Sequence, residues 1–108
     1  MPETDCLILL TTLPVSADAT AFATALVEER LAACVNIHGD MESVYRWKGS
    51  VERDRERQIV VKTSRARLDA LRARIAAMHP YELPEILVIP VAGGSPEFLG
   101  WVSESTAT

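Results

Sequence analysis

The segment His79-Pro80-Tyr81-Glu82-Leu83-Pro84-Glu85-Ile86-Leu87-Val88-Ile89-Pro90 limits the fold more than any other part of the chain. Pro80 holds His79 in an extended conformation and Pro84 does the same to Leu83, so no helix runs through the segment. His79, Tyr81 and Glu82 are therefore expected in a short, stiff turn that feeds a strand over Glu85 to Val91. A rigid polar turn at the mouth of a buried strand serves either as a site or as a plain helix stop.

The elements before this turn follow from apolar periodicity. Cys6 to Thr12 reads as a buried strand closed by Pro14, and Ser16 or Asp18 can cap the helix that starts near Ala19. Phe22, Ala23, Leu26 and Val27 recur there at helical spacing. Leu31 to Ile37 is expected as a second strand, bent at His38-Gly39-Asp40 and resumed from Met41 to Trp47. A turn at Lys48-Gly49-Ser50 returns it as a third strand, Val51 to Thr63. This hairpin is longer than so small a chain needs, and overhanging strands carry unpaired backbone groups that invite pairing with another copy. Ser64 is the expected cap of a second helix, in which Leu68, Leu71, Ile75 and Met78 form the apolar stripe. After the strand Glu85 to Val91, the Ser95-Pro96 pair starts a short terminal helix carrying Phe98, Trp101 and Val102.

The order is β-α-β-β-α-β plus a last helix, in the α+β class: a four-stranded antiparallel sheet with two helices on one face. The strand Ile86-Leu87-Val88-Ile89-Pro90-Val91 is too apolar to leave the second face bare, which calls for the terminal helix or for other copies. A length of 108 residues, with 48% hydrophobic and 24% charged, fits one domain over 1–108. No apolar run is long enough to span a membrane, and the acidic Met1 to Asp5 start lacks the basic region of a signal peptide. Two cysteines make no disulfide framework, which points to a reducing, cytoplasmic compartment.

The net charge of -4 conceals segregation: ten of the eleven Lys and Arg residues fall between Arg46 and Arg74. Glu52, Asp54 and Glu56 alternate with Arg53, Arg55 and Arg57, so the densest charges offset one another. That pattern argues against nucleic acid and for charge complementarity between subunits.

Donor atoms for a metal are present in His38, His79, Cys6, Cys34, Glu82 and Glu85, but at no recognised ligand spacing. Cys34 is either a buried structural thiol or a ligand for a soft ion; His79, held by Pro80, offers an imidazole suited to divalent copper. Tyr45, Trp47, Lys62, Tyr81 and Glu82 are expected to converge where the hairpin meets the 79–84 turn. The aromatic rings would wall a pocket, and Lys62 would either pair with Glu82 or hold an anion. The same residues also suit packing at strand ends. His79 and Glu82 have no obvious serine or cysteine nucleophile beside them, which disfavours an enzyme. Gly93-Gly94-Ser95 lacks a nucleotide-binding glycine pattern.

Taken together, Leu31-Ala32-Ala33-Cys34-Val35-Asn36-Ile37, Ser43-Val44-Tyr45-Arg46-Trp47-Lys48-Gly49, Ile59-Val60-Val61-Lys62-Thr63 and His79 to Ile86, with Pro96 through Trp101, resemble the CutA family of divalent-ion tolerance proteins from about Leu7 to Val102. The resemblance implies a ferredoxin-like subunit in a compact homotrimer of PII-like architecture, the long hairpins adding intersubunit sheet. It implies a non-enzymatic role in tolerance of divalent cations, with copper or another divalent metal bound. The family's shared polar and aromatic positions correspond to Cys34, Tyr45, Trp47, Lys62, His79, Tyr81 and Glu82, which makes His79, Cys34 and Glu82 the expected metal ligands. A PII-like scaffold that takes a small anion or a protein partner between subunits is the alternative. Ser50 and Val51 after the hairpin glycine, and Leu83 in the turn, depart from the family pattern.

Overall fold

A computed structural model describes residues 4–108, so Met1 to Glu3 of the acidic Met1 to Asp5 start lie outside the described residues. Strand β1, Cys6–Pro14, runs through the middle of a four-stranded antiparallel sheet of order β2-β3-β1-β4, with β2 at Cys34–Trp47, β3 at Ser50–Ser64 and β4 at Leu87–Pro90. Helices α1, Ala19–Glu28, and α2, Leu68–Met78, follow β1 and β3, and α3, Pro96–Ser105, ends the chain. This is the expected β-α-β-β-α-β order with a short terminal helix.

Alternation along the strands assigns the two sheet faces. Leu9, Leu13, Ile59 and Val61 point to one side and pack with Phe22 and Leu26 of α1 and Leu71 and Ile75 of α2. Leu68 and Met78 complete the α2 stripe at its half-buried margin. On the other side lie Ile8 and Leu10 of β1, Val60 and Lys62 of β3, Cys34 and Asn36 of β2, and Leu87 and Ile89 of β4, by cross-strand register. Helix α3 covers one end of that face: buried Val102 packs on Cys6 and Ala33, with Leu99 and Val91 alongside. The rest is uncovered, leaving Leu87 56% and Ile89 46% exposed.

Several local expectations are corrected. Asp18 rather than Ser16 caps α1, its Oδ1 accepting from the Ala21 N–H at 2.9 Å. Helix α1 then ends in a Schellman turn: Arg30 adopts a left-handed φ of 59°, its N–H donates to Val27 O, and the Leu31 N–H donates to Leu26 O. That reversal makes Leu31 to Ala33 a buried turn, and β2 starts at Cys34. Ser64 makes no capping bond; its hydroxyl pairs with that of Thr106 at 2.9 Å, tying β3 to the end of α3, while a 3-10 turn at Arg65–Arg67 leads into α2. Ser95 does cap α3, accepting from the Phe98 N–H at 3.1 Å. The bend in β2 is a bulge between His38 and Met41. The hairpin tip is a two-residue turn, with Lys48 (φ 49°) and Gly49 (φ 84°) both left-handed, which matches the twist of its strands. Strand β4 is shorter than expected because β1 pairs with it only from Leu7 to Leu10.

Candidate functional site

The 79–85 turn is held by both nitrogens of His79. Beyond Leu10, β1 has no β4 partner, and there His79 Nε2 lies 2.6 Å from the Thr12 carbonyl oxygen. A carbonyl only accepts, so Nε2 carries the proton; Nδ1 then accepts from the Tyr81 N–H at 3.1 Å. The ring also packs edge-on against Phe22 and, at 4.9 Å between centroids, beside Tyr81. His79 is thus a buried tether between the end of α2 and β1, and a metal at either nitrogen would displace one of these bonds.

The tether brings the turn against the hairpin arm, and between them lies a cleft of about 790 Å³. Thr12, Glu56 and Gln58 line it from β1 and β3, Tyr45 and Trp47 from β2, and Tyr81, Glu82 and Glu85 from the turn. Glu56 is only 6% exposed, and its Oε2 accepts from the Tyr81 hydroxyl at 2.7 Å. The Tyr45 hydroxyl donates to Asp54. Gln58 Nε2 donates to Thr11 O at 2.7 Å and stands 3.4 Å from Glu85 Oε2. At the rim, Lys48 Nζ sits 3.6 Å from Glu82 Oε2 and 5.5 Å from the centroid of the Trp47 ring, joining the hairpin tip to the turn.

The carboxylates of the cleft are Glu56, Glu82 and Glu85, with the Arg46 guanidinium in the lining and the Lys48 ammonium at the rim. Both phenols are shifted upward. The hydrogen bond to Asp54, with lesser contributions from burial and from neighbouring carboxylates, pushes Tyr45 up to about 12. Burial first, then the bond to Glu56, pushes Tyr81 well above the ordinary phenol range.

Four of the five expected pocket residues, Tyr45, Trp47, Tyr81 and Glu82, do meet in this cleft. Lys62 does not. It pairs with Cys34 across the β2–β3 ladder, and its ammonium donates to Asn36 Oδ1. Six residues of strand, about 20 Å, separate it from Glu56. The cation expected to pair with Glu82 or to hold an anion is therefore elsewhere, and Lys48 takes the first of those parts. The expected ligand set is also dispersed. Cys34 lies half-buried beside Lys62, away from the cleft, and no three His, Cys, Asp or Glu side chains cluster for a metal among the described residues. Burial raises the pKa of the other thiol, Cys6, an effect Lys62 partly opposes.

Glu56, Gln58 and Lys48 were not anticipated as part of the site, and Glu85 was named only as a possible metal donor. Parity held a signal for the first two: Glu56 and Gln58 share a strand face with Val60 and Lys62. The alternating charges of residues 52–57 mask it, because they read as surface charges that complement another subunit rather than as a buried lining.

The sequence profile of the CutA1 divalent ion tolerance protein family matches residues 7–105. The divalent-cation tolerance protein CutA of Thermus thermophilus is 46% identical over 99 residues, covering 92% of this chain and 96% of that protein. The chloroplastic protein CutA of Arabidopsis thaliana is 38% identical over 100 residues, covering 93% of this chain and 55% of that protein, so the chain spans about half the length of this relative. The crystal structure of CutA from Xylella fastidiosa superposes with a TM-score of 0.92 at 36% identity, covering 96% of this chain and all of that one.

Proposed function

The chain belongs to the CutA1 divalent ion tolerance family, whose proteins are non-catalytic, and on that premise we propose that it serves divalent-cation tolerance as a cytoplasmic, PII-like homotrimer that binds copper or another divalent metal. Each subunit is one ferredoxin-like domain. The observation that carries the assembly is the half of the sheet that α3 leaves open, with its exposed Leu87 and Ile89 on an edge strand. Burying apolar surface of this kind contributes roughly 25 cal/mol per Å². No helix among the described residues is long and apolar enough to cross a membrane.

Metal binding in this reading draws on donors completed between copies. Cys34 sits on the open face, Glu82 is exposed at the cleft rim, and His79 contributes only by releasing Thr12 or Tyr81. A soft thiolate and an imidazole suit copper better than a hard cation such as calcium. The test is a calorimetric copper titration of the purified oligomer beside Cys34→Ser, His79→Ala and Glu82→Gln, with light scattering following assembly. The reading predicts saturable binding, weakened in at least one variant that keeps its assembly, and a mass three times the 11.9 kDa chain. Nonsaturating heats that ignore all three substitutions would overturn the metal site; a monomer would overturn the trimer.

A further inference from the structure

We propose that the face of the hairpin arm turned away from the cleft, where Arg46 and Arg53 flank Val44 and Val51, docks on the outer stripe of α3 of another copy, where Glu97 and Glu104 flank Phe98 and Trp101. The inference rests on the trimer reading and names the surfaces through which its copies meet.

The basic face is a product of strand parity. Acids and bases alternate along residues 52–57, but alternate side chains of a strand leave by opposite faces, so the charges segregate instead of cancelling. Register places Val44 opposite Arg53 and Arg46 opposite Val51, while Tyr45 with Glu52 and Met41 with Glu56 share the other face. The valines thus lie on one diagonal and the arginines on the other, about 7–8 Å apart. Val44 is 60% and Val51 64% exposed, and both arginines are exposed as well. The next arginine, Arg55, is already matched by Glu42 across the ladder and by Asp40 at 2.9 Å. Arg53 makes no hydrogen bond or ion pair among the described residues, and Arg46 reaches only the Gly49 carbonyl, at 3.5 Å. Exposed apolar side chains between two uncompensated guanidiniums suit a protein interface, where arginine is enriched.

The stripe on α3 has the opposite sign. No Lys or Arg follows Arg74 in the chain. Helix α3 buries Val102 but leaves Phe98 47% and Trp101 44% exposed, with ring centroids 5.4 Å apart. Offsets of four and three residues from Trp101 put Glu97 and Glu104 on the same stripe, one on each side of the rings. Glu97 Oε2 accepts from the Ser95 hydroxyl at 3.2 Å, and the Glu104 side chain has no partner among the described residues. The two carboxylates stand about 10 Å apart along the helix, a spacing two extended arginines can match. Ring faces and carboxylates both attract guanidinium. Within one chain these surfaces cannot meet. Thr106 ties α3 to the Ser64 end of β3, and Arg53 lies eleven residues away along that strand, about 36 Å. Surfaces at opposite ends of a chain pair head to tail, the arrangement that closes as a ring such as a trimer.

The test is light scattering of the whole protein across a series of concentrations at low salt, where charge pairs are least screened. Wild type is expected at three times the 11.9 kDa chain. Arg46→Glu with Arg53→Glu, and separately Glu97→Arg with Glu104→Arg, are each expected to raise the concentration of half-dissociation by about ten-fold or more. All four reversals in one chain restore opposite charge across the contact and are expected to return that concentration to within about three-fold of wild type. Far-UV circular dichroism checks that every variant is folded. A wild-type monomer would overturn the trimer reading and this contact with it. A wild-type trimer with either pair of reversals inert, or with folded four-fold reversal no better than the weaker pair, would overturn the contact and leave the trimer standing.

Discussion

His79 shows how one side chain converts a turn into a fixed surface. Pro80 sets its backbone, but the two ring hydrogen bonds to Thr12 and Tyr81 aim the turn at the hairpin. The next residues in this chain of contacts are the protein's two tyrosines, each donating to a carboxylate. A neutral acid whose folded pKa is raised stabilises the fold fully below the unfolded value, near pH 10, and loses that contribution as pH rises through the folded value. For Tyr45 the loss is therefore expected between about pH 10 and about 12, and for Tyr81 it begins in the same region and ends higher. A tyrosinate absorbance titration should show little ionisation at pH 10, where half of free tyrosine is ionised. Glu56→Gln should bring one of the two transitions down, and phenols that titrate together at the ordinary value would contradict the hydrogen-bonded geometry. The aromatic and proline residues of this site were legible in the chain itself. Glu56 was not, because burial of one acid in an alternating charged run depends on what crosses above it.

At the scale of elements, the long hairpin is the part most open to a direct test. Its bulge rests on Gly39, whose φ of +147° suits glycine and whose missing side chain makes room for β3. A Cβ at this position would lie 2.8 Å from Arg57 Cγ and 3.1 Å from its Cα, so backbone as well as side chain would have to shift. Gly39→Ala is expected to destabilise the protein by about 1–3 kcal/mol, the scale of a strained backbone residue. Equilibrium urea unfolding measures it, and a midpoint unchanged from wild type would mean that the bulge does not need the glycine. The bulge was foreseen from His38-Gly39-Asp40, as were the α2 stripe and the Ser95 cap, because each depends on residues close in sequence. Strand limits depended on partners instead. Leu31 was expected in β2 and Glu85 in β4, yet a left-handed Arg30 and the short ladder with β1 moved both boundaries inward.

The molecule as a whole is longer than a compact chain of its size. Its radius of gyration is 14.6 Å, against about 13 Å for a globular domain of this length, and its extents are 44 × 31 × 23 Å. The excess reflects the arm, and in the trimer proposed above the uncovered sheet face is the surface that copies would share. That proposal predicts that charge placed there separates the copies: Leu87→Glu with Ile89→Glu is expected to give the mass of a single chain by light scattering, with far-UV circular dichroism close to wild type. An unchanged oligomer mass would locate the interface elsewhere. Periodicity, prolines and caps by themselves determined the element order, the two-helix core face and the turn at residues 79–85, because these follow from backbone restriction and from which residues avoid water. Only the tertiary structure decided that Lys62 lies remote from the cleft, that Lys48 closes its rim, and that Glu56 is buried within it. Strand register and the path of the chain above the sheet set those distances, and neither is encoded in the spacing of any one segment.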